Sequence, residues 1–502
     1  MENPAQILHR LTSYEPGREW DDVIDDPRLV LDLVPNDLDR LPWFYKRYPE
    51  PVSRVPLPAE LPSTTAPAVD VLAGVAKAGR QAVDLPQLSR LLHLSAGIVR
   101  TSQRKYGPHP FRAAGSAGGR FPLELYVLAP DGGDLPPGVH WYDPAGHALV
   151  LLGPPPSGSA PAVVVTGVPW RTGWRYRERG FRHIYWDAGT MLAQLLAAAD
   201  SAGLPASLYS RFPDRTVTEL IGADGVHEWP VAVVALGEGA PALTPTGPAR
   251  HGEVDRAPLE FPLVTAAQRA GDATVLGEPW PRGLPVPLPA EPAPSAGEPA
   301  LVPSPGESAP PSASVAGESA PVEAVVLSRG SQRRMDPAGT LPAHVLTTGL
   351  RVAVRGIDLP HFVAVHQVDG VEPGVYRWPD LTSPRHAGDQ RAELYRVSLD
   401  QSLSRDAAFV VITAADVSAL DARRYREAQL AAGLVEGRLH LLAYALGASA
   451  SGMTFLDSEM PALFAEPLDA MLFTCVGVPE YTSTAGGRPG APTSVRLITP
   501  RP

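Results

Sequence analysis

The chain has 502 residues, 44% of them hydrophobic, a net charge of −11 and one cysteine, so it can build two or three ordinary domains and no internal disulfide. The acidic balance disfavours a nucleic-acid partner, which wants a basic face. No stretch approaches the roughly 20 apolar residues that span a bilayer, and Met1-Glu2-Asn3-Pro4 lacks the start of a signal peptide, so a soluble, cytoplasmic protein is expected.

Residues 1–60 read as a mostly polar lead-in with aromatic anchors at Trp20 and Pro42-Trp43-Phe44-Tyr45. That cluster suits packing on a neighbouring domain or an exposed partner patch. Residues 61–245 form a first domain, in which apolar spacing predicts helices over 85–95 and 187–202 and strands over 122–128 and 232–236. Over 246–322 the composition collapses into Pro, Ala, Gly, Glu and Ser. Leu284-Pro285-Val286-Pro287-Leu288-Pro289 and the Gly-Glu steps at Gly297, Gly306 and Gly317 read as a linker of polyproline character, or as a Pro-rich docking ligand. Residues 323–502 form a second domain, with a helix over 422–446 and a strand over 470–477. Helices alternating with strands in both indicate an α+β architecture.

The two domains are copies. Phe181-Arg182-His183-Ile184-Tyr185-Trp186-Asp187-Ala188-Gly189 recurs without a gap as Tyr425-Arg426-Glu427-Ala428-Gln429-Leu430-Ala431-Ala432-Gly433, and Pro137-Gly138-Val139-His140-Trp141 answers Pro373-Gly374-Val375-Tyr376-Arg377 upstream. Two distant copies argue for tandem domains folded as a pseudo-dimer rather than a solenoid.

The copies keep different polar motifs. The second opens with Arg329-Gly330-Ser331-Gln332-Arg333-Arg334, guanidiniums flanking a hydroxyl, which suits a phosphate and equally a solvated face. The first has no such cluster in Val71–Arg80. It carries instead Arg112-Ala113-Ala114-Gly115-Ser116-Ala117-Gly118-Gly119-Arg120, whose small residues permit close approach to a flat ligand, with Ser116 adding a hydrogen bond. A Gly-rich turn before a strand is the alternative. The second copy has Arg355-Gly356-Ile357-Asp358-Leu359-Pro360 here, without Ser-x-Gly.

Ser116-x-Gly118-x-x-x-Pro122-Leu123-Glu124-Leu125-Tyr126, then Pro136–Asp143, then Tyr176-x-x-x-Gly180-Phe181-Arg182, resemble the SagB/McbC-type peptide dehydrogenases. These are FMN enzymes of the nitroreductase-like family that oxidise thiazolines and oxazolines in ribosomal peptides. His9–Tyr14 resembles the segment preceding the fold in that family, and Arg329-x-Ser331-x-Arg333 resembles its FMN-phosphate motif. The resemblance implies two tandem nitroreductase-like domains packed as an intramolecular pseudo-dimer, with one intact composite site and one FMN per chain. In it, Arg329, Ser331 and Arg333 hold the phosphate while Ser116 and Gly118 approach the flavin. Ser449 to Thr454, including Gly452 and Thr454, supply contacts after the long second helix, and Arg496 is a further phosphate candidate.

Where the family has a catalytic Lys-Tyr pair, this chain has Arg175-Tyr176. Arginine stays protonated and cannot be a base. It can lower the pKa of Tyr176 or hold a substrate carbonyl, leaving Tyr176 as base or as an orienting group. The implied partners are an azoline-containing precursor peptide, its cyclodehydratase and, as an open alternative, a second copy of the chain. His183 and His227 read as hydrogen-bond partners, Cys475 as core, and no spacing suggests a metal. Without a dinucleotide fingerprint, oxygen rather than NAD(P)H is the expected oxidant. Two other readings stand beside this one: a nitroreductase-type flavin oxidoreductase acting on a small molecule, and a flavin-free scaffold subunit of a peptide-modifying complex.

Overall fold

The structure is a computed structural model that describes residues 2–19, 24–288 and 319–498; Trp20, Gly297, Gly306 and Gly317 lie outside the described residues. Among the described residues sixteen strands, numbered along the chain, make three sheets. The first contains β1 (Arg54–Pro56), β4 (Leu123–Ala129), β5 (Gly138–Asp143), β6 (Ala148–Gly153), β7 (Ala162–Gly167), β8 (Ala206–Tyr209) and β9 (Trp229–Leu236), in the order β1-β6-β5-β4-β7-β9-β8. The second contains β10 (His361–Val365), β11 (Gly374–Arg377), β12 (His386–Ala387), β13 (Phe409–Ala415), β14 (Ser449–Met453) and β15 (Asp469–Gly477), in the order β12-β11-β10-β13-β15-β14. Without β1 the two orders match strand for strand, and every pairing in both is antiparallel. A small third sheet joins β2 (Ile98–Arg104), β3 (Gly107–Arg112) and β16 (Thr493–Ser494), so the end of the chain pairs with the first half. The central strands β4, β7, β9 and β13 are buried along their whole length, and their apolar runs lack alternation because both faces are covered.

The core is organised by two long helices, Gly180–Ser201 and Ala422–Ala445, which pack against each other between the sheets. Glycine sets how closely they approach. A Cβ at Gly189 would sit 2.4 Å from the Leu430 carbonyl oxygen, and one at Gly433 would sit 2.4 Å from that of Trp186. Gly189 and Gly433 are counterparts in the repeat, as are Trp186 and Leu430, so the contact is reciprocal in the manner of an isologous interface. Ion pairs repeat the pattern. Arg179 and Arg182 reach Asp457 at 2.6 and 2.5 Å, while Arg423 and Arg426, one repeat later, reach Asp214 at 3.0 and 3.1 Å.

Several expectations are corrected. The first long helix begins at Gly180 rather than residue 187, because Phe181, Ile184 and Tyr185 extend its apolar face into the core. The lead-in is partly core: Asn3 caps a Pro4–Leu11 helix that buries Ala5, Leu8 and Leu11, and Lys46 is buried on Glu228 at 2.6 Å. The stretch expected to be linker contains a Pro262–Ala270 helix burying Leu263, Val264 and Ala267 behind Phe261, a spacing masked by the surrounding Pro and Gly. Beyond it the chain stays tied down, Trp280 N–H donating to Leu208 at 2.6 Å and Val286 N–H to Ala73 at 2.9 Å. The aromatic cluster packs inward in part, with Phe44 4.8 Å from the His109 ring and Arg47 stacked 3.8 Å over Trp43. Cys475 is buried in β15, where desolvation pushes its thiol pKa well up. Among the described residues no helix is long and apolar enough to cross a membrane.

Candidate functional site

The loop Ala113–Phe121 and the segment Arg329–Ser331, 216 residues apart at their contact, meet at the edge of the helix pair. Arg329 Nη2 donates to the Ala113 carbonyl at 2.5 Å. A Cβ at Gly115 would lie 3.4 Å from both Arg329 Nη1 and Ser331 Oγ, so the loop and the segment stand in van der Waals reach of one another. Arg329 is only 3% exposed, yet its Nε and Nη1 have no hydrogen-bond acceptor among the described residues. Burial pushes its pKa below the ordinary arginine value, against the pull of Glu436 and the Tyr444 side chain. A buried guanidinium with two unmet donors is set to receive an anion.

The segment is held by its backbone. Tyr444 O–H donates to the Gly330 carbonyl at 2.7 Å and Gln332 N–H to Ala450 of β14 at 3.2 Å. His440 bridges Glu436 Oε1 at 3.1 Å and the Gly330 carbonyl at 3.3 Å, and Thr190 donates to the other Glu436 oxygen. Glu436 lies under Gly452, where a Cβ would be 3.5 Å from its carboxylate. Burial alone would raise the Glu436 pKa, but His440, Thr190 and Arg329 together bring it below the ordinary value.

On the loop side, Ser116 differs from expectation. Its hydroxyl donates to Asp187 at 2.5 Å and accepts from Phe121 N–H at 2.8 Å, so its donor is spent inside the protein, and the loop backbone is what faces outward. Gly118, with φ of 60°, abuts Arg175 and Tyr176, because a Cβ there would be 2.7 Å from the Tyr176 hydroxyl oxygen. Tyr176 stacks on His183 with ring centroids 4.2 Å apart. As expected, Arg175 pulls the Tyr176 pKa down, but burial outweighs it and the net shift is upward; Arg175 itself is exposed and donates to Asn36 at 3.4 Å. The net effect favours the neutral phenol of Tyr176.

The remaining sequence candidates are peripheral. Arg333 is exposed, its Nη1 donating to the Ile498 carbonyl at 2.9 Å and its N–H to the Tyr481 hydroxyl at 3.0 Å. Arg496 is exposed on the segment after β16. Thr454 takes a hydrogen bond from Arg179 at 3.4 Å. His183 and His227 do have hydrogen-bond partners, the Arg179 carbonyl at 3.1 Å and Asp224 at 2.7 Å.

Sequence reasoning missed Asp187, Thr190, Glu436 and His440. A signal existed: in the repeat these stand opposite Ala431, Leu434, Leu192 and Leu196, polar groups on one copy of an otherwise apolar helix face. Asp187 is 6% exposed, and burial raises its pKa to about 7 despite the bonds from Ser116 and Ala117, with Glu436 pushing the same way.

Residues 139–238 match the family model described as Nitroreductase family. A protein of Methanocaldococcus jannaschii, provisionally named a nitroreductase, is 27% identical over 168 residues, covering 30% of this chain and 80% of the relative. A solved structure from Anabaena variabilis, also provisionally named a nitroreductase, aligns over 96% of this chain and 100% of its own with a TM-score of 0.69 and 22% identity. The fold is nitroreductase-like. A second structure so named, from Ralstonia eutropha, covers 37% of this chain and 90% of its own at 24% identity, with a TM-score of 0.31. The cradle at Gly115, Arg329 and Ser331 therefore lies in a nitroreductase-like α+β frame, with the family match falling on β5 to β9.

Proposed function

We propose that this chain is an FMN-dependent dehydrogenase that oxidises thiazoline or oxazoline rings to azoles in a ribosomally made peptide, working from one composite site in a fused pseudo-dimer. The observation that carries the cofactor reading is the buried Arg329 guanidinium, with two unmet donors beside Ser331 and the glycine loop of the other half. These residues fit a phosphate: Arg329 and Ser331 would hold it, Arg333 would attend from the rim, and the Gly115–Gly118 backbone leaves room for a flat ring. FMN would supply a hydride acceptor. Tyr176, as a neutral phenol, orients the substrate by a hydrogen bond, and Arg175 at the rim holds a peptide carbonyl. The azoline substrate and a cyclodehydratase partner are supported by the Ser116–Tyr126, Pro136–Asp143 and Tyr176–Arg182 motifs.

The reciprocal glycine and arginine contacts across the long helices support the pseudo-dimer. One FMN per chain is supported by how the counterpart site is filled: Arg355 occupies the space beside Gly74, and a Cβ at Gly356 would be 2.2 Å from the Pro281 carbonyl oxygen. The nitroreductase match favours a second reading, a flavin oxidoreductase that takes electrons from a nicotinamide donor and acts on a small molecule. Flavin is quantified on a denatured portion of the protein, and the native remainder is given an azoline peptide or NADPH. About one FMN per chain with azole formation is expected. Flavin bleached by NADPH with no azole would move the assignment to the second reading, and no flavin after soaking in FMN would remove both.

A further inference from the structure

The loop that faces the cradle is conformationally demanding. Gly118 and Gly119 have φ of 60° and 64°, and Phe121, a bulky residue, has φ of 49°. Left-handed backbone at a bulky residue persists only where surrounding contacts impose it. Those contacts converge on one side chain. Asp187 accepts the Ser116 hydroxyl at 2.5 Å and Ala117 N–H at 3.0 Å, and the same Ser116 oxygen accepts Phe121 N–H at 2.8 Å. Arg171 adds a bond to the Phe121 carbonyl at 3.3 Å. One helical turn after Asp187, on the same face, Thr190 donates to Glu436, which is joined through His440 to the Gly330 carbonyl. Loop and anion cradle thus rest on one polar line across the two long helices.

We propose that Asp187 is a positioning residue of the composite site: acting through Ser116 and Ala117, it fixes the loop backbone so that Gly118 bears on the Tyr176 hydroxyl. The role deepens the reading of the site given above and rests on it for its catalytic meaning, though not for its geometry. An ionised carboxylate accepts both loop bonds more strongly than a neutral one. Burial costs the charge more than those bonds return, raising the pKa to about 7, so ionisation as pH climbs through about 7 favours release of the loop. The titratable groups that feel its charge are Glu436 from the second long helix and Tyr176 from the preceding helix. Of these, Glu436 opposes the ionisation of Asp187 directly.

The test is hydrogen exchange of the full chain without added FMN, read on peptides covering 113–122 and, as an internal control, β4. Asp187→Ala should speed exchange in 113–122 roughly tenfold or more, the loss expected when a charged acceptor is removed, and leave β4 unchanged. Asp187→Asn, which keeps an acceptor for Ala117, should fall between. After correction for intrinsic chemistry, wild-type protection of 113–122 should fall between about pH 6 and pH 8, and that of Asp187→Asn should stay flat. Should Asp187→Ala fail to fold, Ser116→Ala must produce the same local loosening. Unchanged exchange in 113–122 in the variants, or a wild-type profile no different from Asp187→Asn, overturns the proposal. Loosening in a chain that never binds flavin would uphold the positioning role while removing the dehydrogenase reading.

Discussion

Replacing Arg329 by Met should change stability and anion binding in opposite directions. Without a ligand, Arg329 buries two N–H groups that meet no acceptor, each costing about 1–3 kcal/mol, and makes one good bond, to Ala113, worth about 1–2 kcal/mol. Methionine fills similar space without those donors, so Arg329→Met should stabilise the FMN-free chain by about 1–3 kcal/mol. Toward a phosphate the same change removes a charged contact worth about 1.5–3 kcal/mol, weakening FMN by roughly tenfold to a hundredfold. The assay is urea unfolding of both proteins with and without excess FMN. Wild type should gain with FMN, by RT times the logarithm of its saturation, while the variant should start higher and gain less. A variant that is less stable without FMN and gains as much with it would refute the idea that Arg329 is held ready for an anion.

Three further outcomes follow from other contacts. Asp187 has a raised folded-state pKa, so the stability it contributes is present below its unfolded value near 3.8 and is lost as pH rises through about 7. At 1.36 kcal/mol per unit, Asp187→Asn should gain about 3 kcal/mol relative to wild type between about pH 4.5 and pH 8 in urea unfolding; a constant difference would contradict the assignment. Gly433→Val places atoms where the Trp186 carbonyl oxygen is 2.4 Å from the first added carbon and should lower the unfolding midpoint by an equivalent of about 3 kcal/mol or more. Asp457→Asn leaves Arg179 and Arg182 buried without their shared carboxylate and should cost about 3–5 kcal/mol by the same measurement.

Much of the frame was legible because repetition is a long-range signal. The in-register match of Phe181–Gly189 with Tyr425–Gly433 foretold two equivalent long helices, and both are present with matching strand orders around them. That the Ser116 and Gly118 loop should share a site with Arg329, Ser331 and Arg333 came from the resemblance alone, since nothing local in either motif specifies a partner so far away in sequence; the contact present is that of Gly115 with Arg329 and Ser331. What escaped was chemistry hidden in apolar runs. Asp187 and Glu436 sit on helix faces whose neighbours are nearly all buried, and a lone carboxylate there acquires meaning only once the fold supplies a distant partner, Ser116 for Asp187 and Thr190 for Glu436. The Pro262–Ala270 helix escaped for a different reason: composition averaged over a Pro-rich stretch drowns a single apolar turn behind Phe261. The pull of Arg175 on Tyr176 was legible as a neighbouring charge, whereas the desolvation that outweighs it depends on the whole fold.

The close crossing of the two long helices has a genetic consequence. Two identical chains meeting at such a crossing would carry every substitution twice, so a residue harmful at one side of the axis could not be kept for its value at the other. Here the halves share one polypeptide, and Glu436 stands alone against Leu192, Asp187 alone against Ala431. Each half can thereby carry a residue the other lacks, while glycine is needed at both 189 and 433 because a Cβ at either would meet the opposite backbone.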